Sequence, residues 1–351
     1  VNLFGEAAVK PVSIKDVARA ARVSHSTVSR ALRGSPLVNP KTAARIRRIA
    51  EKLGYLPSAL GRSLKTRQTM TLGVVVNTIA DPVMAELVAG IQEVANRAGY
   101  SILLAESHAE PERELRAVRS LLEHRVDGLL AAASRVGPEY RSLLEPIGVP
   151  IVLINNQHPQ PYRHAVSIDS LPASRAITEH LIELGHRRIA YIGDRFGYQT
   201  DWERYAGYAQ ALRAHKLEPR PELAVKGDGM IAGGIEAMSA LLELRQRPTA
   251  VFCYNDLTAI GAMRAIRARG LRIPQDISVA GFDDLFISGD TNPPLTTVRQ
   301  PKRLMGSMAA EILLKVLAGE ECERDIHVPG ELVIRESTGP PPQESRTGAD
   351  L

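Results

Sequence analysis

Polar side chains follow several short apolar runs in the carboxyl-terminal part of the chain, where together they could bind a small molecule. Asp81, Asn155, Asn255 and Asp283 each come soon after such a run, and Arg204 lies in a helical stretch. In open parallel sheets a ligand binds beyond the carboxyl ends of the strands, where these side chains are expected to meet. A planar guanidinium and carboxylates that face one cleft can hold vicinal hydroxyls or a carboxylate.

The same residue types also cap helices, because Asn and Asp side chains accept hydrogen bonds from the first N–H groups of a helix. We expect capping or loop roles for Asp194, Asp256 and Asp284, which also follow apolar runs. Residues 200–203 form a capping box that places Arg204 in the first turn of a helix. Trp202, the single Trp, could stack on a sugar ring or pack inside the protein, and the sequence leaves both interpretations open.

The elements that must position these residues are predicted to be alternating strands and helices. Short apolar runs predict buried parallel strands at 72–76, 101–105, 128–132, 151–154, 189–192, 250–253 and 277–281. Amphipathic stretches such as 85–98, 173–184 and 257–269 predict the helices between them. Repeated strand–helix–strand units indicate an α/β domain.

The amino-terminal part of the chain differs from this body in charge. Residues 1–68 hold five Lys and nine Arg against three acidic residues, a net charge of +11, so the remainder carries −6 of the chain's total of +5. A small basic segment attached to a larger acidic body is typical of a protein whose one end binds a polyanion.

Three short helices are predicted within this basic segment. Residues 13–16 form a capping box that starts the first helix, and Ser24 can cap a second helix over 25–32. Asn39, followed by Pro40, starts a third helix that ends at Gly54. This is helix-turn-helix spacing, and an ordinary helical hairpin is the alternative that capping and periodicity alone leave open. The short basic second helix could enter the major groove of DNA.

Ordered motifs in this segment resemble the lactose/galactose repressor (LacI/GalR) family. They are SIKDVA at 13–18, VS at 23–24, TVSR at 27–30, LGYLPS at 53–58 and RSLK at 62–65, and the resemblance extends to about Glu336. In the hinge, around 53–65, the sequence is close to that of the purine-responsive members. Arg22 stands where the family usually has Gly or Asn, and Arg33 stands where Asn is common.

The resemblance implies binding to a pseudo-palindromic double-stranded DNA operator by a homodimer. The residues implied to contact DNA are Ser13, Arg22, Ser24, His25, Ser26, Thr27, Ser29, Arg30, Asn39, Lys41, Arg45, Tyr55, Ser58, Leu64 and Lys65. In the hinge, two short helices that are too short to be stable alone would pair and insert Leu64 into the minor groove. A plain linker with one exposed Leu is the alternative.

For the larger body, the resemblance implies an effector domain like the periplasmic binding proteins, with two Rossmann-like parallel-sheet lobes joined by three crossings. The predicted effector-binding residues are Asp81, Asn155, Trp202, Arg204, Asn255 and Asp283. Of these, Arg204, Asn255 and Asp283 match the effector-contacting Arg, Asn and Asp of the family. Asn155 occupies a position that is often Asp in sugar-responsive relatives. We expect the crossings near 157–161, 290–293 and 318–324.

The predicted fold is therefore an all-α helix-turn-helix domain plus an α/β two-lobed domain. The predicted boundaries are a flexible tail over 1–11, the helix-turn-helix domain over 12–56, the hinge helix and linker over 57–69, and the effector and dimerisation domain over 70–338. Within the last, lobe one covers 70–157 and 293–318, and lobe two covers 161–290 and 324–338. Residues 339–351, which contain three consecutive Pro and no leucine heptads, are expected to be a disordered tail.

Several other classes of protein are disfavoured by the sequence. Only Cys253 and Cys322 are present, so neither a disulfide framework nor a thiolate metal site is expected, and no cofactor is predicted. The chain lacks a P-loop, a Gly-x-Ser-x-Gly elbow and a His-Glu-x-x-His motif, which disfavours an enzyme. It shows neither a signal peptide nor a membrane span, so we expect a bacterial cytoplasmic, nucleoid-associated protein and not a secreted solute-binding protein.

The predicted function is sequence-specific transcriptional regulation, with a repressor favoured over an activator. A small polar effector, a sugar or sugar derivative, is expected to control operator affinity allosterically. A purine corepressor is the alternative that the sequence leaves open.

The hinge prediction can be tested with Leu64→Ala. Removal of the apolar wedge should weaken operator binding and reduce DNA bending, because less of the cost of unstacking a base step is offset. Gel-shift titration on circularly permuted operator fragments measures both quantities. Unchanged affinity and bend angle would refute the wedge assignment.

Overall fold

The computed structural model describes residues 12–32, 34–55, 68–158 and 162–342. The chain divides into two compact units, one up to Thr69 and one from Met70. Several predicted features lie outside the described residues. They are the tail over 1–11, Arg33, the hinge residues Ser58, Leu64 and Lys65, and the last nine residues of the chain.

The first unit consists of three helices, α1 (Ile14–Ala21), α2 (His25–Leu32) and α3 (Pro40–Lys52). Their small core contains the buried side chains of Val17, Val28 and Ile46. A core of this size has little apolar surface to bury, so local caps contribute a large share of the helix-forming tendency. The predicted three-helix arrangement is confirmed.

The second unit contains two parallel sheets. The first is six-stranded in the order β11-β5-β4-β3-β1-β2, from β1 (Thr71–Val76), β2 (Ser101–Glu106), β3 (Gly128–Ala132), β4 (Ile151–Ile154), β5 (Ala165–Asp169) and β11 (Asp325–Pro329). The second is four-stranded in the order β7-β6-β8-β9, from β6 (Ile189–Asp194), β7 (Ala224–Gly227), β8 (Ala250–Cys253) and β9 (Ser278–Ala280). A small antiparallel pair joins β10 (Thr297–Arg299) to β12 (Glu331–Val333).

Helices cover these sheets and define two lobes. The first lobe is the six-stranded sheet with α4 (Pro82–Arg97), α5 (Pro111–Glu123), α6 (Gly137–Leu144) and α11 (Lys302–Ala318). The second lobe is the four-stranded sheet with α7 (Ser170–Glu183), α8 (Gln199–Ala214), α9 (Ile231–Leu242) and α10 (Asp256–Ala268). Short 3₁₀ turns lie at Glu145–Ile147, Pro221–Leu223 and Phe286–Ser288. None of the helices in the described residues is long and apolar enough to span a bilayer.

The structure corrects the predicted lobe boundaries at all three crossings. Both β5 and β11 pair within the first sheet, whereas the sequence placed 161–290 and 324–338 in lobe two. In β11 apolar and polar residues alternate, and the strand lies at the edge of the sheet, so it does not form the continuous apolar run used to find strands. The first crossing therefore follows Asp169, and the last follows Pro329. The middle crossing follows β10 and does not lie at 290–293, because Thr296 and Arg299 form bridges with Ala280 and Asp283 of the second lobe.

The sequence predicted a disordered tail that starts at Gly339, but the structure shows Gly339 bonded to the second lobe. The backbone N–H of Gly339 donates to the Ser278 hydroxyl at 3.0 Å, and its carbonyl oxygen lies 2.8 Å from the buried His186 Nε2. Ser337 is fully buried, and its hydroxyl donates to the Val279 carbonyl at 2.6 Å. These bonds attach the segment to the second lobe.

Glycine allows the helices within each lobe to approach backbone to backbone. A Cβ at Gly90 of α4 would lie 2.0 Å from the Arg303 carbonyl oxygen of α11, and one at Gly306 would lie 2.1 Å from the Leu87 carbonyl oxygen. In the second lobe, a Cβ at Gly234 of α9 would lie 2.3 Å from the backbone of α10. Side-chain movement cannot relieve a clash with a carbonyl oxygen, so each helix pair requires glycine at its crossing.

We expect Gly90→Ala to destabilise the second unit by about 2 kcal/mol, because overpacking of about 1–3 kcal/mol outweighs a helix-propensity gain of at most about 1 kcal/mol. Urea denaturation of the full chain, followed by far-ultraviolet circular dichroism, measures the change. Gly289→Ala is the matched control, since a Cβ there would meet no atom within 4 Å. Equal stability of the two variants would contradict the close-packing argument.

Candidate functional site

The first unit presents its predicted DNA-contacting residues on the first turn of α2. Ser24 caps this helix, because the Thr27 backbone N–H donates to its hydroxyl at 3.1 Å. The hydroxyls of Ser26 and Thr27 also lie within hydrogen-bond distance of the Ser24 hydroxyl, at 2.7 and 2.8 Å. His25, Ser26 and Arg30 are exposed, whereas Thr27 and Ser29 are half-buried. Since Ser24 supplies the cap, His25 and Ser26 are not needed for that role.

The other predicted contacts of this unit have structural partners of their own. Ser13 donates its backbone N–H and its hydroxyl to the Asp16 carboxylate at 3.0 and 2.6 Å. The Asn39 side chain accepts from the Lys41 backbone N–H at 2.9 Å and caps α3. Arg45 donates from Nη2 to the Ala21 carbonyl at 3.1 Å, which ties α3 to the end of α1.

Two further positions of this unit are explained by local backbone and packing. Arg22 ends α1 in the left-handed region with φ of 52°, which costs a non-glycine residue roughly 1–2 kcal/mol. This conformation explains why Gly or Asn is usual there. Tyr55 is half-buried against the core of the unit, and its backbone N–H donates to the Ala50 carbonyl at 2.9 Å.

A cavity of about 410 Å³ opens between the two lobes of the second unit. Strand ends of both lobes contribute to it, as expected for ligand sites at the carboxyl ends of parallel strands. Its lining includes five of the six predicted effector residues, namely Asp81, Asn155, Arg204, Asn255 and Asp283. The structure therefore brings these five together in one place.

Arg204 of α8 lies at the centre of the second-lobe wall. Its guanidinium is buried with 3% of the residue exposed, and Nη1 donates to the Tyr254 carbonyl at 2.5 Å. The guanidinium carbon lies 4.6 Å from the Tyr254 ring centroid and 3.7 Å from that of Phe282, in cation–π geometry. Nη2 forms an ion pair with Asp283 Oδ1 at 3.8 Å. These contacts fix the orientation of the planar Arg204 guanidinium.

Asp283 holds an uncommon backbone conformation beside this arginine. Its φ is 123°, a region that side chains rarely adopt and that persists where surrounding bonds enforce it. Its N–H donates to the Val298 carbonyl at 2.8 Å, and Lys302 Nζ donates to its carbonyl oxygen at 2.7 Å. The Gln300 amide donates to its carboxylate. Burial raises the pKa of the Asp283 carboxyl well above its ordinary value, and the Arg204 charge opposes this rise.

The two asparagines combine a structural bond with a position on the cavity wall. Asn155 adopts φ of 47°, and its side-chain oxygen accepts from the Ile168 backbone N–H at 2.9 Å. Asn255 caps α10, accepting from the Thr258 backbone N–H at 2.9 Å, and its amide donates to the Gly229 carbonyl at 2.8 Å. Capping and cavity roles therefore coincide in Asn255.

Acidic residues around the cavity also hold the loops in place. Asp81 caps α4, accepting from the Val83 backbone N–H at 2.9 Å, and burial raises its pKa. Asp194 accepts from the Phe196 backbone N–H at 2.6 Å, and burial raises its pKa to about 6. Asp256 is fully buried and accepts from the hydroxyls of Ser288 and Thr297. Asp284 pairs with two arginines, Arg299 at 2.7 Å and Arg335 at 2.6 Å.

Trp202 does not belong to the cavity. The residue is 69% exposed and is absent from the lining. The reason is that α8 begins at Gln199, with Tyr198 as its cap residue, so the predicted capping box over 200–203 lies inside the helix and Arg204 lies in its second turn. Side chains two positions apart on an α-helix point in directions that differ by about 200°. Arg204 therefore faces the cavity, while Trp202 faces away from it.

Sequence reasoning missed several lining residues, which are Gln157, Tyr198, Thr200, Tyr254 and Gln300. Tyr254 directly follows β8, and Gln157 follows β4 by three residues, so the rule of inspecting strand ends could have found both. Gln300 follows β10, which is too short and too polar to be recognised as an apolar run. In the described residues, no group of His, Cys, Asp and Glu has the geometry of a metal site.

Polar bonds connect the two lobes across this cavity. Arg135, which follows β3, donates to the Ala109 carbonyl of the first lobe at 3.2 Å and to the Phe196 carbonyl of the second lobe at 2.9 Å. Its guanidinium carbon lies 5.2 Å from the Tyr198 ring centroid. Deeper in the cavity, the Gln157 side-chain oxygen accepts from the backbone N–H and the hydroxyl of Thr200, both at 3.1 Å.

Comparison with known proteins matches both units. Residues 13–58 match the model of bacterial regulatory proteins of the lacI family, and residues 178–338 match a periplasmic binding protein-like domain. The HTH-type transcriptional repressor PurR of Aliivibrio salmonicida is 34% identical over 327 residues, which cover 93% of this chain and 98% of that protein.

Solved structures agree with this match. The lac repressor dimer bound to operator and the anti-inducer ONPF superposes with a TM-score of 0.87 at 30% identity, covering 94% of this chain and all of that chain. The transcriptional regulator CelR in complex with cellobiose gives a TM-score of 0.71 at 33% identity, covering 93% of this chain and 99% of that chain. This chain therefore belongs to the LacI family of bacterial regulatory proteins, as a DNA-binding transcriptional repressor and not an enzyme.

Proposed function

We propose that this repressor binds a pseudo-palindromic operator as a homodimer in the bacterial cytoplasm, at the nucleoid, and that a sugar or sugar derivative controls its operator affinity. The observation that carries the effector proposal is the buried Arg204–Asp283 pair on the wall of the cavity. Buried charge pairs are costly to desolvate, so one that lines a ligand-sized cavity is a candidate binding device.

The chemistry of the wall favours a polyhydroxyl ligand. Asn155, Asn255 and Gln157 offer amide groups, and Thr200 and Tyr198 offer hydroxyls, on surfaces that converge on one cavity. Sugar hydroxyls both donate and accept hydrogen bonds, which matches such a mixed lining. The cellobiose complex of CelR, at 33% identity, supports the same class.

A purine is the second candidate, and one observation favours it. The rings of Phe196, Tyr198 and Tyr254 all line the cavity, and aromatic rings can stack on a base as well as on a sugar face. The similarity to PurR of Aliivibrio salmonicida points the same way. Sugars, sugar derivatives and nucleobases should therefore be compared in one thermal-shift screen, because a ligand specific for the folded state raises the melting temperature.

Control of DNA binding requires a ligand that distinguishes between two arrangements of the lobes. The bonds from Arg135 to Phe196 and from Gln157 to Thr200 join the lobes at the cavity. A ligand that contacts both walls would alter the balance between open and closed lobes. We propose this balance as the link between effector and operator affinity.

An edge strand supports the homodimer proposal. Strand β2 is at the end of its sheet, and Leu103 and Leu104 on it are exposed, as is Ile79 nearby. Proteins seldom leave an apolar edge strand uncovered, because it invites pairing with other chains. Dimerisation over this edge would bury all three side chains.

The cavity assignment predicts that Arg204→Ala and Asp283→Asn each abolish the effector response while operator affinity without ligand stays near that of the unmodified protein. Loss of either partner removes the interactions by which a ligand would favour one lobe arrangement. Operator titration by fluorescence anisotropy, with and without the effector found in the screen, measures the response. Trp202→Ala is the matched control on the same helix, outside the cavity. If both cavity variants kept the full response, the effector site would lie elsewhere.

The DNA-reading assignment predicts that exchanging two neighbours, His25→Ser with Ser26→His, changes which operator is preferred. Removing one hydrogen bond to a base edge should cost about 1–3 kcal/mol of discrimination. Selection from randomised operators at one fixed salt concentration compares the preferred half-sites. Identical preferences would remove the first turn of α2 from the reading role and shift attention to Arg22 or Arg33.

Lys41→Ala provides the contrasting variant for this test. Lys41 is exposed on α3, and removing an ion pair with a phosphate should weaken binding to all sequences alike and reduce the salt dependence by about one unit. Arg45→Ala is less suited to this purpose, because it also removes the bond to the Ala21 carbonyl.

A further inference from the structure

The cavity wall has more acidic than basic side chains among its described residues. Four carboxylates line it, from Asp81, Asp194, Asp228 and Asp283. Among the described lining residues, the cationic side chains are Arg204 and, when protonated, His108. A ligand in the cavity therefore meets more negative than positive groups.

The one permanent cation among the described lining residues is engaged at its two terminal nitrogens, while its Nε is buried without a hydrogen-bond partner among the described residues. One terminal nitrogen of Arg204 donates to the Tyr254 carbonyl, and the other pairs with Asp283. The rings of Tyr254 and Phe282 also lie within cation–π distance of the guanidinium. A phosphate or carboxylate that took a bidentate contact through Nε and Nη2 would compete with Asp283 for Nη2, and it would weaken the compensation of that buried carboxylate.

Other cations in the neighbourhood, including Arg135 at the rim, lie outside the described lining. Lys302 is 3% exposed and donates to the carbonyls of Asp283 and Asp284 at 2.7 and 3.0 Å. Lys226 donates to the Asp201 carboxylate at 2.5 Å, and Arg195 pairs with Asp228 at 3.6 Å. Burial raises the pKa of Asp194 to about 6, and the neighbouring charges of Asp201 and Asp228 add to this rise.

A separate observation concerns hydrogen bonding. Gln300 lines the cavity with 4% of the residue exposed, and its amide donates to Asp283. Its side-chain oxygen is buried and has no hydrogen-bond partner among the described residues. Buried acceptors without partners are uncommon because their desolvation is uncompensated. A ligand with O–H or N–H donors would supply the missing bond.

We propose that the cavity selects ligands that donate hydrogen bonds and carry no negative charge, namely neutral polyols or their amino derivatives, and rejects their phosphorylated and carboxylated counterparts. The proposal rests on the proposed function in taking this cavity as the effector site. It adds the charge class of the effector.

Binding to the full-length protein tests the proposal with matched sets of compounds. The probes are ribose, glucose, galactose, cellobiose and cytidine, each beside its phosphate ester, and the hexoses also beside their uronic acids and amino sugars. Isothermal titration calorimetry should show that the neutral or amino member of a binding set binds at least about 100-fold more tightly than the anionic one, since like-charge juxtaposition costs several kcal/mol. An anion that binds as tightly as its neutral parent would overturn the proposal, as would the absence of binding in every set.

A charge variant locates the origin of the discrimination. Asp81→Asn keeps the shape and the capping acceptor for Val83 while it removes one negative charge. It should reduce the preference over the phosphate ester about tenfold. Asp290→Asn, at an exposed position outside the lining, is the matched control and should leave the preference unchanged. Equal preference in the two variants would contradict the role of the wall charges.

The readout is binding alone, which separates this proposal from the effector role. A neutral ligand that binds selectively but leaves operator affinity unchanged would refute the effector role and leave the charge selectivity in place. An anion that weakens or strengthens operator binding would refute the charge selectivity and leave the effector role in place.

Discussion

The cavity depends on one buried charge pair, Arg204 with Asp283. Loss of one partner from such a pair costs about 3–5 kcal/mol, because the other charge remains buried without compensation. Arg204 also fixes the backbone after β8 through the Tyr254 carbonyl, and Asp283 receives Lys302 of α11, a first-lobe helix, on its own carbonyl. Elements of both lobes thus converge on the pair, and the unusual backbone of Asp283 is held by them.

The contacts inside each lobe differ in kind from the contacts between the lobes at the cavity. Inside each lobe, helices meet backbone to backbone at Gly90, Gly306 and Gly234, with no side chain that could adjust. Between the lobes, the described contacts at the cavity are a few hydrogen bonds, such as those of Arg135 and Thr200. Close-packed contacts resist deformation, whereas single hydrogen bonds exchange readily with water. The hydrogen bonds at the cavity can therefore rearrange more easily than the helix packing within either lobe, while an apolar cluster that includes Val74 and Phe252 continues from one lobe into the other.

Much of this architecture could be predicted from the sequence because buried parallel strands are continuous apolar runs. All seven predicted strands are present, and β3, β4 and β8 have the predicted bounds. Strands β5, β7, β10, β11 and β12 were not predicted, because they are short or alternate in polarity. The error at Trp202 came from local capping chemistry. The 200–203 motif is a plausible helix start, but Thr200 instead bonds Gln157 across the cavity, a contact that no local pattern encodes.

The hydrogen bonds by which Arg135 bridges the lobes go to main-chain carbonyls, those of Ala109 and Phe196. Every residue type has such a carbonyl, so replacing the side chain at either partner position leaves the acceptor in place. The rim of the cavity can therefore diversify over evolutionary time while the bridge persists. We therefore expect relatives that sense different molecules to retain an arginine at this position, while the residues that supply the two carbonyls vary. The bridge between the lobes and the ligand specificity can then evolve separately.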